Sequence, residues 1–394
     1  MAKSKIFIAP ALVAAVIFLM TFAEITHAAT APCAQWTYMV FLNGDNDLDE
    51  FGHSDIAEMK KIGSTPDVNI VVIQDHVSGP VEKLYIMKDT VEVLETIPEV
   101  DMGDPAELVK FVAWAREKFP ARNYALNIWN HGSGWTLRQA GRPVARAISY
   151  DDQAGTCIST VALGEAMRQI RLILGKNVDV LCMDACLMQM MEVGYEVKDS
   201  VDFISASEET APGDGLPYDL VLGPLVENPR LTPSEFACLS SQTYKAVYAG
   251  VEPTTQSAVD CSKFDAVCDK VDAFAHQLLF LVGSNPSTLP AVKRAAADVQ
   301  VYSCQDNCDL VHFCQLINEN VRDEKVNRAA DEVIAAVASG PSRLVAVNSV
   351  DGYAVRNSNG LAIYLPKAGY DKEYGKLAFG KTMWAAFIKK FSLM

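Results

Sequence analysis

Residues 178–191 read VDVLCMDACLMQMM. The run from Val178 to Asp184 has strand length and no polar alternation, which suits a strand covered on both faces of a parallel sheet. Asp184-Ala185-Cys186 closes the run, and the apolar LMQMMEVGYEV that follows has helical spacing. Reacting groups of parallel α/β sheets gather beyond the carboxyl ends of the strands. Cys186 occupies such a position, whereas Cys182 falls inside the sheet layer and reads as a core thiol. A helix starting near Leu187 would hold the Cys186 thiolate through its free N–H groups and its dipole. Taken alone, Cys186 also fits a disulfide partner or a buried core cysteine.

Outward from this stretch the pattern alternates strand and helix. WTYMVFL (36–42), VNIVVIQD (68–75) and YALNIWNHG (124–132) are further apolar runs, with VDFISAS (201–207) after the helix. Between them, DLDEFGHSDIAEMKKIG, DPAELVKFVAWAREKF (104–119) and TVALGEAMRQIRLILG (160–175) carry apolar residues at helical spacing, and AISYD (147–151) is a short strand. This rhythm predicts an α/β fold with a mostly parallel central sheet flanked by helices. A catalytic core spans 34–230. Residues 231–340 read as a largely helical subdomain inserted late, and LVAVNSV and GLAIYLP within 341–394 return to strand character to complete the core.

The chain begins with two lysines, an apolar run from Ile6 to Ala23, and small-residue sites near Ala28. Residues 1–28 therefore read as a secretory signal peptide, which makes the protein secreted or periplasmic and free of the membrane once cleaved. The run approaches the length of a spanning helix, so retention as an anchor is the alternative. Cys33 follows Pro32, a poor context for lipid attachment. Removing the segment takes the net charge from −15 to −16. So acidic a chain lacks the basic footprint that nucleic-acid binding requires. All ten cysteines lie after the signal, and in an exported protein their default role is disulfide formation. With Cys186 kept free, at least one more must also stay unpaired.

A histidine partner for Cys186 comes from YALNIWNHGSGW (124–135), where an apolar strand ends in Asn130-His131-Gly132. His131 and Cys186 end two strands of one sheet, 55 residues apart, similar to the histidine–cysteine spacing of caspases. Ser133 is a poorer nucleophile, because GSG lacks the spacing of a nucleophile elbow. From about Trp36 to Phe391 the chain resembles the clostripain family of cysteine peptidases, which share the caspase–hemoglobinase fold. The resemblance is carried by YMVFLNGDNDLD, LNIWNHGSGW, ISYDD, CISTVALGEAM, VDVLCMDACLMQMMEVGYEV, SASEETAPGDGLPYD and NGLAIYLP.

That resemblance implies a catalytic dyad of Cys186, attacking the scissile carbonyl, and His131, protonating the leaving amine. It also implies an oxyanion hole from the N–H groups of Gly132 and Cys186. Asp184 matches the acid of the family's Asp-Ala-Cys motif and would pair with an arginine or lysine side chain of a protein or peptide substrate. A second acid is expected among Glu208, Glu209 and Asp214. Arg138, Arg142 and Arg146 mark a loop suited to self-cleavage, with Arg146-Ala147 most similar to the family's processing site. No cofactor is required by this chemistry. Several family members respond to calcium, which makes Asp151 and Asp152 candidates for an oxygen site. DNDLDE (45–50) is not an EF-hand, lacking Gly at its sixth position and Glu at its twelfth, and Asp45 or Asp47 reads as a helix cap. CQDNCDLVHFC (304–314) has zinc-like spacing, but disulfides or a core helix face suit it better. Competing readings are a peptidase of the same fold with another specificity, and an inactive surface-interaction protein.

Overall fold

The computed structural model describes residues 1–2, 33–135, 147–367 and 369–394. The segment read as a signal peptide, beyond residue 2, and the arginines 138, 142 and 146 lie outside the described residues.

The chain runs β1 (Ala34–Gly44), α1 (Asp49–Ile62), β2 (Val68–His76), β3 (Val81–Met87), β4 (Thr90–Ile97), α2 (Pro105–Lys118) and β5 (Ala121–Trp129). It continues with β6 (Ile148–Asp151), β7 (Thr156–Ile158), α3 (Thr160–Leu174), β8 (Val178–Asp184), α4 (Met191–Val197), β9 (Val201–Ala206), α5 (Tyr218–Glu227) and α6 (Pro233–Tyr248). The remainder is β10 (Thr254–Asp260), α7 (Phe264–Ser284), α8 (Leu289–Asp298), β11 (Asn307–Asp309), α9 (Leu310–Asn320), α10 (Glu324–Val337), β12 (Val345–Asp351), β13 (Ala362–Tyr364) and α11 (Met383–Phe391).

Nine strands form the main sheet in the order β12-β10-β9-β8-β5-β1-β2-β3-β4. The central five are parallel. The outer four are antiparallel, so the sheet is mixed at both flanks. Helices cover both faces. Ile56, Met59, Val221, Leu225, Phe236 and Tyr244 of α1, α5 and α6 meet Tyr38, Val40, Trp129, Val180 and Cys182 on one side. On the other, α2, α3 and α4 pack on Met39, Phe41, Leu126, Leu181 and Met183, and the same core runs on into α7, α9, α10 and α11. Local chemistry sets the helix ends: Asp104 and Ser159 cap α2 and α3, and Thr232 with Glu235 forms a capping box on α6.

Three expectations change here. Residues 33–394 form one unit, and the stretch read as a helical insertion supplies β10, a strand inside the main sheet. Its sequence TTQSAVD is too polar to read as a buried strand, yet Thr254 to Val259 are all buried. Only β12 of the late strands joins the main sheet, since β13 pairs with β11. The disulfide default also fails: Cys33, Cys182, Cys186, Cys238, Cys261, Cys268, Cys308 and Cys314 are thiols. Most are core residues, and burial pushes Cys182 up to about 12 and Cys268 up to about 11, which keeps them unreactive. Among the described residues no helix is long and apolar enough to cross a membrane.

The C-terminal part is fastened by a buried acid. Glu192 on α4 accepts from Tyr374 Oη at 2.7 Å and from the Tyr364 N–H at 3.0 Å. Burial raises its pKa to about 7. Replacing Tyr374 with Phe leaves this carboxyl with one donor fewer in a dry site. Tyr374→Phe should lower stability by about 1–3 kcal/mol, read as a shift of the urea midpoint at unchanged slope; an unchanged midpoint contradicts this account.

Candidate active site

The parallel register sets Leu42 beside Trp129 and Trp129 beside Asp184, so β1, β5 and β8 end at one edge of the sheet. Asn130, buried just beyond β5, ties these ends together. Its N–H donates to Asp184 O at 3.2 Å. Its Nδ2 donates to Asn43 O at 2.6 Å and Tyr150 O at 3.1 Å. Its Oδ1 accepts from the N–H groups of His131 at 2.6 Å and Tyr150 at 2.9 Å. The loop carrying His131 is thereby held between β1, β6 and β8.

His131 Nε2 lies 2.7 Å from Asp47 Oδ1 in the β1–α1 loop. A carboxylate there favours the tautomer with its proton on Nε2, which leaves Nδ1 to exchange protons. Asp47 is thus an orienting partner of the imidazole. It does not cap α1, whose N-cap is Leu48 without a side-chain bond.

Gly132 sits against Cys186 so closely that a Cβ would lie 2.3 Å from the Cys186 carbonyl oxygen. No other residue fits. The Cys186 sulfur accepts from Ala211 N–H at 3.3 Å, and the Gly132 N–H also favours its thiolate. The expected helix dipole does not contribute, because Leu187 turns into positive φ (65°) and α4 begins only at Met191. Burial outweighs the two N–H groups, and the thiol is raised above its ordinary value. The loop beyond it is fixed by Leu187 N–H to Glu209 O at 3.0 Å, Gln189 N–H to Ser207 O at 2.9 Å and Ala362 N–H to Gln189 O at 3.0 Å.

Asp184 is buried, accepting from Leu216 N–H at 3.1 Å and Tyr218 Oη at 2.9 Å. Gly215, at φ 59°, brings its backbone against this carboxylate, where a Cβ would lie 2.8 Å from Oδ2. The three acids expected nearby separate. Asp214 is exposed beside Gly215, and its charge reaches into the buried layer. Glu209 lies near the thiol, its charge acting on Cys186, while Oε1 accepts from Thr210 and Ser303 N–H groups. Glu208 points away: it is buried against Asp309 and bonds Tyr302 Oη at 2.7 Å and Gly360 N–H at 2.9 Å. Its carboxylate oxygens are engaged by these structural donors.

Of the two acids considered for a cation, Asp151 joins Asp45, Asp75 and Glu99, whose ligand oxygens lie within 4.8 Å of one another. Asp152 is exposed and outside this group. The local DNDLDE and YDD patterns hinted at Asp45 and Asp151, but nothing in sequence joins them to Asp75 and Glu99. The zinc spacing at 304–314 does not form a site among the described residues: Cys308 and Cys314 are buried, and His312 Nδ1 accepts Gln300 N–H at 2.8 Å. Arg146 is outside the described residues, while Ala147 is fully buried and its carbonyl accepts Ser133 N–H at 2.9 Å.

A family model described as the clostripain family matches residues 40–390. Clostripain of Hathewaya histolytica is 27% identical over 222 residues, a match covering 47% of this chain and 41% of that relative's own length. The fold is shared with a secreted C11 cysteine protease from Bacteroides thetaiotaomicron in complex with an irreversible peptide inhibitor, at TM-score 0.66 and 18% identity over 91% of this chain and 99% of that one. It is shared likewise with an inactive zymogen C11 protease from Parabacteroides distasonis, at TM-score 0.64 and 18% identity over 89% and 98%.

Nitrogen-15 spectra of labelled histidine should show the neutral His131 ring with its proton on Nε2. Asp47→Ala should remove that preference. A ring protonated on Nδ1 in the parent protein would contradict the assignment.

Proposed function

The chain belongs to the clostripain family, and on that premise we propose that it is an exported cysteine endopeptidase cleaving after arginine or lysine. The observation that carries the reading is the pairing of a histidine loop and a cysteine loop across β5 and β8, with a buried acid at the same edge. In this scheme the Cys186 sulfur attacks the substrate carbonyl carbon and its proton passes to His131 Nδ1. The tetrahedral oxyanion takes the N–H of Gly132, together with that of Cys186, in place of water. His131 then protonates the departing amine, and water releases the acyl group from sulfur. Asp47 holds the imidazole through both transfers.

The basic side chain of the substrate would enter toward Asp184, with Asp214 as the second acid at the mouth. Of the three acids considered, Asp214 is supported best, because it adjoins Gly215 and faces water. Self-cleavage at Arg146-Ala147 remains part of the proposal. Mass spectrometry finding only an unbroken mature chain in the active enzyme would remove it.

We also propose that Asp45, Asp75, Glu99 and Asp151 hold calcium. The donor set suits a hard cation. Asp75 Oδ2 is buried without a hydrogen-bond partner, as expected of an oxygen reserved for an ion. Burial and neighbouring acids push Asp75 up to about 8 and Asp151 up to about 6. A bound cation would offset part of the charge of this cluster and steady the β1–α1 loop that carries Asp47.

Two experiments test these readings. Fluorogenic peptides ending in Arg, Lys, Asn or Asp should be cleaved only after Arg or Lys, and Cys186→Ala should lower kcat by at least ~10³-fold. Cleavage after Asn instead would favour the same-fold alternative, and no cleavage of any peptide, even after nicking near Arg146, the binding-protein alternative. For the cation, the sign follows from the raised values. Between the unfolded carboxyl pKa, ~4, and the folded values, the native state keeps protons that the unfolded chain has lost. In chelator, stability should therefore fall as pH rises from about 5 to 8. Millimolar calcium should restore the melting temperature at pH 8 but not at pH 5, and Asp75→Asn should abolish its effect. A melting temperature indifferent to calcium at pH 8 would sink the site.

A further inference from the structure

Asp55 has no part in the scheme above, yet the fold places it against Asp184. Trp129 and Asp184 are register partners on β5 and β8, so their side chains share the face covered by α1. Trp129 Nε1–H donates to Asp55 Oδ2 at 2.6 Å. Asp55 and Asp184 are 3% and 7% exposed. Neither has an ion-pair partner among the described residues.

The groups that act on Asp55 come from every packed element. They are Asp184 of β8, the Trp129 indole of β5, Glu58 of α1 itself and Asp214 of the loop before α5. The Asp55 charge in turn raises the phenols of Tyr38 on β1, Tyr218 on α5 and Tyr248 on α6. Apart from the Trp129 indole, all are acids or phenols. Of the two lysines further along α1, Lys61 is drawn away by Asp219 at 2.9 Å, and Lys60 forms no ion pair with Asp55 or Asp184. Two carboxylates in one dry layer cannot both ionise cheaply. Burial, then the Asp184 charge, pushes Asp55 upward, and burial raises Asp184 as well. Asp184 accepts from the Leu216 N–H and Tyr218 Oη whereas Asp55 has the Trp129 indole, so the proton of the layer rests on Asp55.

We propose that Asp55 is a specificity-determining acid at the floor of the basic-side-chain pocket, carrying a proton in the free enzyme and releasing it when a guanidinium or ammonium enters. This deepens the role given to Asp184 and rests on it. The proton leaves the Asp55 carboxyl for bulk water as the cation arrives, so the charge of the buried layer stays the same. A neutral side chain of equal shape displaces no proton and meets a carboxylic acid instead. Discrimination then comes from a group that becomes charged only for the right ligand.

The test uses full-length Cys186→Ala protein, which binds peptides without cutting them. Calorimetry at pH 7 in two buffers of different ionisation enthalpy counts protons as a peptide ending in Arg, or its citrulline analogue, binds. About one proton should be released with Arg and none with citrulline, and affinity for the Arg peptide should climb toward pH 9. Adding Asp55→Asn, which keeps an acceptor for the Trp129 indole, should abolish the release and flatten the climb. It should also cut the Arg-over-citrulline preference about 10-fold or more. With Cys186 restored, Asp55→Asn should raise KM for Arg peptides while kcat stays within about 3-fold. Arg preference without proton release in the Asp55-containing protein overturns the inference, even if the Asn variant fails to fold. So does an Asp55→Asn variant with undiminished preference. Equal binding of Arg and citrulline by the Asp55-containing protein would instead remove the basic pocket, and the inference with it.

Discussion

Every donor and acceptor of the Asn130 side chain is committed to holding three strand ends in one geometry. Its amide reaches back to β1 and across to β6, and its backbone N–H reaches β8. A buried amide with four good partners is rigid, because any rotation would strand a polar group in a dry site. That rigidity passes to His131, whose own N–H is one of the four. The imidazole then needs only Asp47 to fix its second angle, and Gly132 is left pressed against the loop of Cys186. Asparagine alone, among residues of this size, offers two donors and two acceptors in this arrangement.

The parallel centre of the sheet and the two reacting loops were legible because their signals are local. Strands buried on both faces must be continuous apolar runs, and chemistry at their carboxyl ends must follow in the next few residues. Features assembled by folding were not legible. Asp45, Asp75, Glu99 and Asp151 come from four separate segments, and their proximity exists only once the strands pair. β10 hides its burial behind serine, threonine and glutamine, whose polar atoms are met by Ser241, Ser205 and Gln189 from other segments. Glu208, Glu209 and Asp214 look alike in a short acidic loop. Only packing separates the one sealed against Asp309 from the one facing water. The helix expected at Leu187 failed for another reason. Its apolar residues Leu187, Met188 and Met190 do enter the core, but from a tight turn stapled by Ser207 and Glu209 just beyond β9 and by Ala362 of β13.

Several acids are buried in the interior, and three of them share one behaviour. Glu192, Asp75 and Asp151 are all shifted upward, as are the buried thiols. Desolvation shifts each toward its neutral form, so the core carries less charge than its composition suggests. The strongly negative net charge is carried mainly by the surface. Buried acids serve as hydrogen-bond anchors, as ligand oxygens or as held protons, according to the donors that each one finds.

Gly132 pairs with Ile148, so the described residues on the two sides of the segment 136–146 lie next to each other. In the main sheet, β5-β1-β2-β3-β4 all precede this segment and β12-β10-β9-β8 all follow it. The division falls on the β5–β8 seam, with His131 on the earlier piece and Cys186 on the later. A protein opened there would be a two-chain complex sharing one sheet, neither half holding a complete site. Once unfolded, it could regain its structure only by bimolecular encounter, at a rate set by concentration. A chain cut at this seam would depend for its lifetime on the height of the unfolding barrier rather than on equilibrium with a refoldable state.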